Sequence, residues 1–140
     1  RAGAWGGFGV WRPLLALVAV AAIVPQVVVL AAGIHLRNSQ EAAAAGNGAR
    51  AKREALAAQA VEPWDSAPYL QLALVDEGLK EYDAAKAAID AAIRRAPRDW
   101  QLWLAAVRID GERGDLAAAS RDLAQARLLN PNAPILQGGS

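Results

Sequence analysis

The sequence predicts an all-α chain, in which one transmembrane helix is followed by a short α-solenoid of antiparallel helical hairpins. Three observations lead to this prediction. An uncharged apolar run extends from Leu14 to Ile34, prolines recur at equal intervals later in the chain, and the composition favours helices. Hydrophobic residues reach 54% while aromatic residues are only 6%, so alanine, leucine, valine and isoleucine carry the apolar content. Alanine and leucine have high helix propensity.

Composition also excludes several classes of function. A formal net charge of +1 gives the chain no overall positive field, so nucleic acid is not a predicted partner. The absence of cysteine removes disulfides, thiolate metal sites and thiol nucleophiles from consideration.

The apolar run Leu14–Ile34 has the length of a membrane-crossing helix. Its 21 uncharged residues would extend about 30 Å at the rise of an α-helix, which is the thickness of a bilayer core. Aromatic residues of the kind found at membrane interfaces precede it: Trp5, Phe8 and Trp11. We therefore predict a juxtamembrane segment over residues 1–13 and a transmembrane helix over residues 14–37.

Pro25 and Gln26 lie in the middle of this run. Proline removes a backbone hydrogen bond and bends a helix, which membrane helices tolerate. An amide at the centre of a bilayer needs a polar partner, so we expect Gln26 to face protein rather than lipid. Other transmembrane helices are therefore predicted partners, together with the membrane itself.

Two other interpretations of the run remain open, namely a cleaved secretory signal and a buried helix of a soluble domain. A signal peptide has a shorter apolar region, of about 7–15 residues. No clean small-residue cleavage site precedes His35. A soluble helix would carry an amphipathic pattern, which begins only after Arg37. The basic residues on the two sides of the run leave its orientation open.

Pro63, Pro97 and Pro131 are separated by 34 residues each, and the residues between them match in kind. The matched pairs are Asp65 with Asp99, Tyr69 with Trp103, Leu70 with Leu104, Ala85 with Ala119, Ile89 with Leu123, and Ala92 with Ala126. A fixed period of this length indicates stacked repeats of two helices each.

Local signals divide each repeat into two helices. Asp65 and Asp99 stand two residues after a proline, where they would cap the first helix. Breaks are expected over residues 78–82 and 111–115, which contain glycine. The second helices then cover DAAKAAIDAAIRRA and LAAASRDLAQARLLN, whose apolar residues recur at intervals of three and four.

Over residues 64–131 the chain resembles the tetratricopeptide repeat (TPR) family. Its motif has an aromatic residue early in the first helix, small residues at the helix crossing, a large apolar residue in the second helix, and a closing proline. The matching residues are Tyr69, Leu72, Ala73, Ala85, Ile89, Ala92 and Pro97, then Trp103, Ala106, Val107, Ala119, Leu123, Ala126 and Pro131. The resemblance implies an α-solenoid whose alanines allow close helix packing. Lys80 stands where the family has glycine, so we expect the turn there to differ.

An incomplete third repeat is predicted over residues 38–62, with a polar bridge at its start. Its second helix would contain Ala51, Ala55 and Ala58, after a turn at Gly46-Asn47-Gly48. Its first helix would overlap residues 32–45, so the transmembrane helix leads almost directly into two complete repeats over residues 63–137. The last helix, with Leu128 and Leu129, has no following repeat, and we expect Pro134-Ile135-Leu136 to cover part of it.

No constellation of catalytic, metal-binding or cofactor-binding residues is predicted, and we do not expect the chain to be an enzyme. The single histidine, His35, is expected to be a polar residue at the end of the membrane helix. The glycines near the start lack the lysine of a phosphate-binding loop. Four acidic residues fit solvated helix faces and turn ends better than a metal cluster. They are Asp76, Glu77, Glu81 and Asp83.

In the TPR family, the first helices of successive hairpins line a concave groove that binds a protein or peptide partner. The resemblance places seven residues there: Leu70, Leu74, Glu77, Gln101, Leu104, Arg108 and Glu112. Leu70 and Leu74 stand where some members have the lysine and asparagine that clamp a terminal carboxylate, so that clamp is not expected. The alternative is an ordinary surface with no ligand.

A second resemblance concerns the motifs AVEPWDSAPYLQLALVDEG, DWQLWLAAVRI and LNPNAP, after a membrane helix and an alanine-rich bridge. Their combination resembles the C-terminal end of actinobacterial membrane proteins of the O-antigen ligase and polymerase family, which transfer glycans from a lipid carrier. It implies that this chain is the non-catalytic tail of a longer protein of the cell membrane, with its repeats on the extracytoplasmic side. None of the family's catalytic loops is covered. A free-standing single-span scaffold and a secreted repeat protein with a cleaved signal are the alternatives.

Overall fold

The chain folds as a succession of helices without sheet structure in the part that is described. The computed structural model describes the backbone of residues 11–137 and the side chains of residues 28–136, and these contain seven α-helices and no strand. The helices are α1 (Trp11–Ala44), α2 (Gly48–Val61), α3 (Ala67–Gly78), α4 (Tyr82–Arg95), α5 (Trp100–Arg113), α6 (Leu116–Leu129) and α7 (Pro134–Gln137).

Helix α1 is continuous from Trp11 to Ala44. Residues 38–44, predicted as a polar bridge, therefore extend the same helix that contains the predicted transmembrane span. The side chains of residues 11–27 lie outside the described part of the chain. The expectations for Gln26 and for the interfacial aromatic residues Trp5, Phe8 and Trp11 therefore lie outside it too. Among the residues that are described, no helix combines the length and apolar character needed to cross a membrane.

Three antiparallel hairpins form the body of the molecule. They pair the second half of α1 with α2, α3 with α4, and α5 with α6, and each hairpin packs against the next. In the first hairpin His35 contacts Glu54 and Ser39 donates a hydrogen bond to the carbonyl of Ala51, so residue numbers rise in one helix as they fall in the other. Gln71 donates to the hydroxyl of Ser39 and joins this hairpin to the second.

The aspartates at the starts of α3 and α5 repeat at the predicted interval. Asp99 is the N-cap of α5, and its carboxylate accepts the backbone N–H of Gln101. Asp65 accepts the N–H of Ala67 in the same way, one residue before the N-cap position of α3. Satisfying these otherwise unpaired N–H groups is what fixes the helix starts. The predicted break over residues 111–115 is partly wrong, because α5 continues to Arg113.

The three hairpin turns also have the same conformation. Gly46, Lys80 and Gly114 stand 34 residues apart and have φ of 74°, 61° and 77°. The expectation that the turn at Lys80 differs is therefore wrong. The backbone N–H of Glu81 bonds to the carbonyl of Asp76, which closes the end of α3 and holds Lys80 in the left-handed region.

The repeated spacing of aromatic residues and prolines has a physical basis in hydrogen bonds. Tyr69 donates to the carbonyl of Pro63 at 3.3 Å, and Trp103 donates to the carbonyl of Pro97 at 2.9 Å. The guanidinium of Arg95 stacks on the Tyr69 ring at 3.5 Å from its centre. Each aromatic side chain thereby ties the first helix of a hairpin to the turn before it.

The largest apolar core lies between the second and third hairpins. It consists of Ala73, Ala85, Ala88, Ile89, Ala92, Ile93, Leu102, Ala106 and Ile109. A smaller cluster of Ala42, Ala51 and Val75 joins the first hairpin to the second. The predicted second-helix alanines, Ala51, Ala55 and Ala58, are fully buried. Leu136 is buried against Ala126 and Ala133, so the tail does cover part of α6, while Leu128 remains 78% exposed.

Two buried ion pairs recur at the same repeat positions. Lys52 Nζ lies 2.8 Å from Asp76 Oδ1, and Lys86 Nζ lies 3.1 Å from Asp110 Oδ2. Neither oxygen has a hydrogen bond of good geometry, so these contacts are chiefly ionic. The expectation that Asp76 lies on a solvated face is wrong, because α2 places Lys52 against it. The carboxylates of Asp76 and Glu81 raise the pKa of Lys52.

Candidate binding groove

Four of the predicted groove residues converge on one open depression. Leu74 from α3 and Gln101, Leu104 and Arg108 from α5 line a hollow of about 400 Å³. The two helices are the first helices of neighbouring hairpins, and they run parallel because each hairpin returns the chain to the same edge. The second helices pack behind them, and the facing sides of the two first helices remain separated. This separation makes a stack of hairpins concave.

Glu77 reaches the depression through Arg108. The Arg108 guanidinium donates from Nε and Nη2 to the two carboxylate oxygens of Glu77, both at 2.5 Å. This two-point contact raises the pKa of Arg108. Planar two-point pairs of this kind are the strong form of an ion pair. The cation at the groove wall is therefore already neutralised by its own chain.

Two predicted groove residues, Leu70 and Glu112, do not line the depression. Leu70 is partly buried and packs against the core between the second and third hairpins, so it does not line the depression. Glu112 lies beside Tyr82, whose pKa is raised by desolvation and by the negative charge of Glu112. Neither residue is among those that line the depression.

Two further residues complete the depression, and the repeat pattern did not identify them. Ala105 forms part of its floor, and Ile135 of α7 closes its far side while remaining 73% exposed. Ile135 follows the last repeat, so the period carries no information about where it lies. The small size of Ala105, next to Leu104, is the one sequence signal that could have indicated an open floor.

A second, smaller depression adjoins the first. It measures about 150 Å³ and lies between the α1–α2 turn and the end of α3, with Leu74, Val75 and Leu79 among its lining residues. Gly48 also lines it, and a β-carbon there would meet the Leu79 side chain at 2.5 Å. Leu74 borders both hollows. The concave surface is thus continuous from the first turn of the stack to α7, and we refer to it below as the groove.

His35 is not placed for acid–base chemistry at this surface. Its Nδ1 lies 2.7 Å from Glu54 Oε2, within the first hairpin, where the contact lowers the pKa of Glu54. His35 holds the repeat position that Tyr69 and Trp103 hold in the later hairpins. Within the described residues, no group of three or more histidine or acidic side chains is arranged to hold a metal ion.

Comparison with known proteins identifies the fold through structure. No protein-family model matches the sequence, and no curated protein matches it either. Solved structures do match. The first TPR domain of Spaghetti (RPAP3), bound to the HSP90 peptide SRMEEVD, has a TM-score of 0.71 at 14% identity and covers 76% of this chain and 87% of that one.

Two other similar structures come from different settings. The Yersinia enterocolitica type III secretion chaperone SycD, in complex with a peptide of the translocator YopD, has a TM-score of 0.68 at 19% identity over 75% of this chain and 80% of that one. The Arabidopsis OM64 TPR domain has a TM-score of 0.68 at 15% identity over 76% and 88%. At these identities the likeness shows the fold alone: the chain has the TPR fold, as its proline spacing predicted.

Proposed function

We propose that this chain is a TPR scaffold whose groove binds an extended, largely apolar segment of a partner protein. The observation that supports this most is the lining of the groove, in which Leu74, Leu104, Ala105 and Ile135 form a continuous apolar surface. Leu74 and Ile135 are both partly open to solvent, so the groove loses apolar contact with water when a side chain enters it. Gln101 offers an amide at its edge for a backbone hydrogen bond.

The polar groups of the groove argue against an acidic ligand. The Arg108 guanidinium is bound at two points by Glu77, and a carboxylate arriving from solution would have to displace that contact. Leucines stand at the two places where a carboxylate clamp would need lysine and asparagine. The selectivity we propose is therefore for apolar side chains in an extended segment.

The structural neighbours support a peptide as the type of ligand. RPAP3 was solved with an HSP90 peptide and SycD with a YopD peptide, both on the same fold. These peptides belong to those proteins. For this chain they support only the choice between a groove that binds protein segments and one that binds small molecules.

We further propose that the scaffold is held at a membrane by α1 and forms the C-terminal part of a glycan ligase of the O-antigen type, on its extracytoplasmic side. The apolar run Leu14–Ile34 and the continuity of α1 into the first hairpin support the anchor. The motif resemblance alone supports the ligase. The free-standing single-span scaffold remains the second candidate, since the same helix would serve it.

A peptide selection tests the groove. A random peptide library is panned against the full chain in detergent, and the selected peptides are measured again on Leu74→Asp. We expect the selected peptides to be apolar and to bind Leu74→Asp at least tenfold more weakly than the wild type. The bound peptide would desolvate the new carboxylate in the groove. The matched control is Leu116→Asp, at a leucine that is 72% exposed at the start of α6 and outside the groove.

Peptides that bind the wild type, Leu74→Asp and Leu116→Asp equally would rule the groove out as the binding site. The membrane and ligase proposals have separate tests. Release of the chain from membranes by alkaline carbonate would contradict the anchor. An initiator methionine directly upstream of Arg1 in the gene would contradict the ligase and favour the free-standing scaffold, whereas further membrane spans there would favour the ligase.

A further inference from the structure

The turns of the solenoid lie at two opposite edges. Because the hairpins are antiparallel, the turns α2–α3, α4–α5 and α6–α7 share the edge from which the first half of α1 leaves the stack. We call this the proximal edge. The turns within the hairpins, at Gly46, Lys80 and Gly114, share the other one, the distal edge.

The proximal edge lies at the end of the apolar run. The contacts of His35 with Glu54 and of Ser39 with Ala51 set the pairing of α1 with α2. Continued along the hairpin, this pairing puts the end of α2, Val61, level with Val29. Val29 is 61% exposed and Leu30 is 63% exposed, so these two apolar side chains have no cover from the stack, although Ala32 beside them is buried.

The side chains of the proximal edge are basic, aromatic and apolar. Its exposed charged residues are Arg94, Arg98 and Arg127. Trp64, in the α2–α3 turn, is 67% exposed, and Leu128 is 78% exposed.

The acidic residues of this edge are engaged by the protein itself. Glu62 is buried, and Asp65 and Asp99 accept backbone N–H groups at the helix starts. Asp90 lies 2.9 Å from the ammonium of Lys86. The exposed charged side chains of the proximal edge are therefore all arginines, while its carboxylates are buried or partly buried.

The distal edge has the opposite character. Its exposed charged residues are mostly acidic, namely Glu41, Glu81, Asp83, Glu112 and Asp115, with Arg50, Lys80 and Arg113 as the basic ones. The chain as a whole is nearly neutral, at +1. The separation of charge between the two edges is thus a property of the fold, since the sequence intermixes both signs.

We propose that the proximal edge docks on a bilayer surface containing anionic phospholipid, and that it orients the groove at a fixed height above the membrane. This rests on the proposed anchoring by α1. The helix brings the edge to headgroup level, exposed arginines are attracted to anionic headgroups, and an exposed tryptophan is suited to the interface. A continuous helix at the junction lets the stack tilt only as a unit.

The experiment uses the full chain, which has no cysteine of its own. A single cysteine is introduced at Asn132 on the proximal edge or at Ala117 on the distal side, both exposed, and labelled with a fluorophore. The chain is reconstituted into phosphatidylcholine vesicles with about a quarter phosphatidylglycerol and a quencher attached to the lipid headgroups. We expect quenching at Asn132→Cys to exceed that at Ala117→Cys several-fold.

The charge contribution is tested by a triple variant, Arg94→Gln, Arg98→Gln and Arg127→Gln. We expect the ratio of docked to undocked stacks to fall about fivefold for each arginine removed at low salt, and quenching at Asn132→Cys to fall with it. The matched control replaces exposed arginines outside the proximal edge, Arg50→Gln, Arg53→Gln and Arg121→Gln, and should leave quenching unchanged.

The outcomes separate the two proposals. Flotation of the vesicles in a density gradient shows whether the chain is bound to them. A chain that floats with the vesicles but shows equal quenching at the two labels overturns docking and leaves the anchor intact. Equal loss of quenching in the two triple variants overturns the assignment to this edge. A chain that does not float with the vesicles at all overturns the anchor and the docking together.

Discussion

The two interfaces between hairpins have the same backbone arrangement and different contents. Between the second and third hairpins, Ile89, Leu102 and Ile109 are essentially fully buried. Between the first and second, the buried side chains apart from Val75 are small or polar, with Ser39 hydrogen-bonded to Gln71 beside Ala42 and Ala51. The repeated caps, turns and ion pairs therefore set the geometry of the stack, while the amount of apolar surface sets its strength.

This difference indicates where the stability of the molecule lies. Burial of large apolar side chains is the main stabilising term, and a buried hydroxyl–amide pair contributes far less per contact. We expect the second and third hairpins to form the cooperative unit. The first hairpin is then the weaker element of the stack, although it is the one continuous with the apolar run.

The largest effect is expected for Ile89→Ala. It gives the second hairpin the residue that the first has at the same repeat position, Ala55, and leaves a cavity in the largest core cluster. We expect the free energy of unfolding to fall by about 3 kcal/mol. Chemical denaturation of the full chain in detergent, followed by circular dichroism, measures it.

Val75→Ala is the matched change at the first interface, at a residue 5% exposed. Its expected cost is smaller, about 1.5 kcal/mol, since fewer methyl groups are lost and alanine neighbours surround them. Equal costs for the two variants would break the contrast between the interfaces.

Disrupting the ion pairs should also cost more stability at the interface between the second and third hairpins than at the interface between the first and second. Asp110 is fully buried and contacts both Lys86 and Arg113, so Asp110→Asn leaves two cations with a weaker partner. We expect a loss of about 2 kcal/mol. Asp76→Asn should cost about half of that, because Asp76 contacts one cation, Lys52, which is more exposed than Lys86.

Thermal unfolding of the two asparagine variants, side by side, measures this difference. If Asp76→Asn proves the more damaging, the first interface depends on its ion pair more than the second does. The assignment of strength to apolar burial alone would then fail.

Lys80→Gly is expected to stabilise the chain. Lys80 has φ of 61°, where a side chain is strained, and glycine occupies the same position in the other two turns. The gain is limited by the greater freedom of glycine in the unfolded chain, so we expect about 0.5–1 kcal/mol. A rise in melting temperature checks it, with Lys80→Ala as the control that removes the charge and keeps the strain.

Lys80 also shows how far the sequence could predict the fold. The 34-residue spacing predicted the repeats, their caps and their alanines, because these depend on contacts within one period. It failed at Lys80, since the closing hydrogen bond from Glu81 to Asp76 forces the turn whatever the side chain. Ile135 was missed because it belongs to the tail, outside the period, and the position of Leu70 against the core depends on a neighbouring hairpin.

The smallest effect concerns pH, and it distinguishes the first hairpin from the third. Contact with His35 lowers the pKa of Glu54, whereas burial raises the pKa of Asp122, which lies 3.6 Å from Lys86. A carboxyl group whose pKa is lowered by folding stabilises the folded state above its unfolded pKa. That contribution is lost as pH falls through its pKa in the folded state. A carboxyl group whose pKa is raised by folding does the reverse. Its contribution is present below the unfolded pKa and is lost as pH rises through its pKa in the folded state.

The two carboxylates should therefore change the stability of the protein in opposite directions as pH rises through mildly acidic values. Melting temperatures measured in steps from about pH 3 to pH 7, a range that brackets the ordinary pKa values of these side chains, test this on Glu54→Gln and Asp122→Asn. Relative to wild type, Glu54→Gln should lose stability increasingly as pH rises, and Asp122→Asn should gain it. If melting temperature depends on pH in the same way for the two variants, neither Glu54 nor Asp122 has a pKa that folding changes. The first hairpin would then be no more sensitive to acid than the rest of the stack.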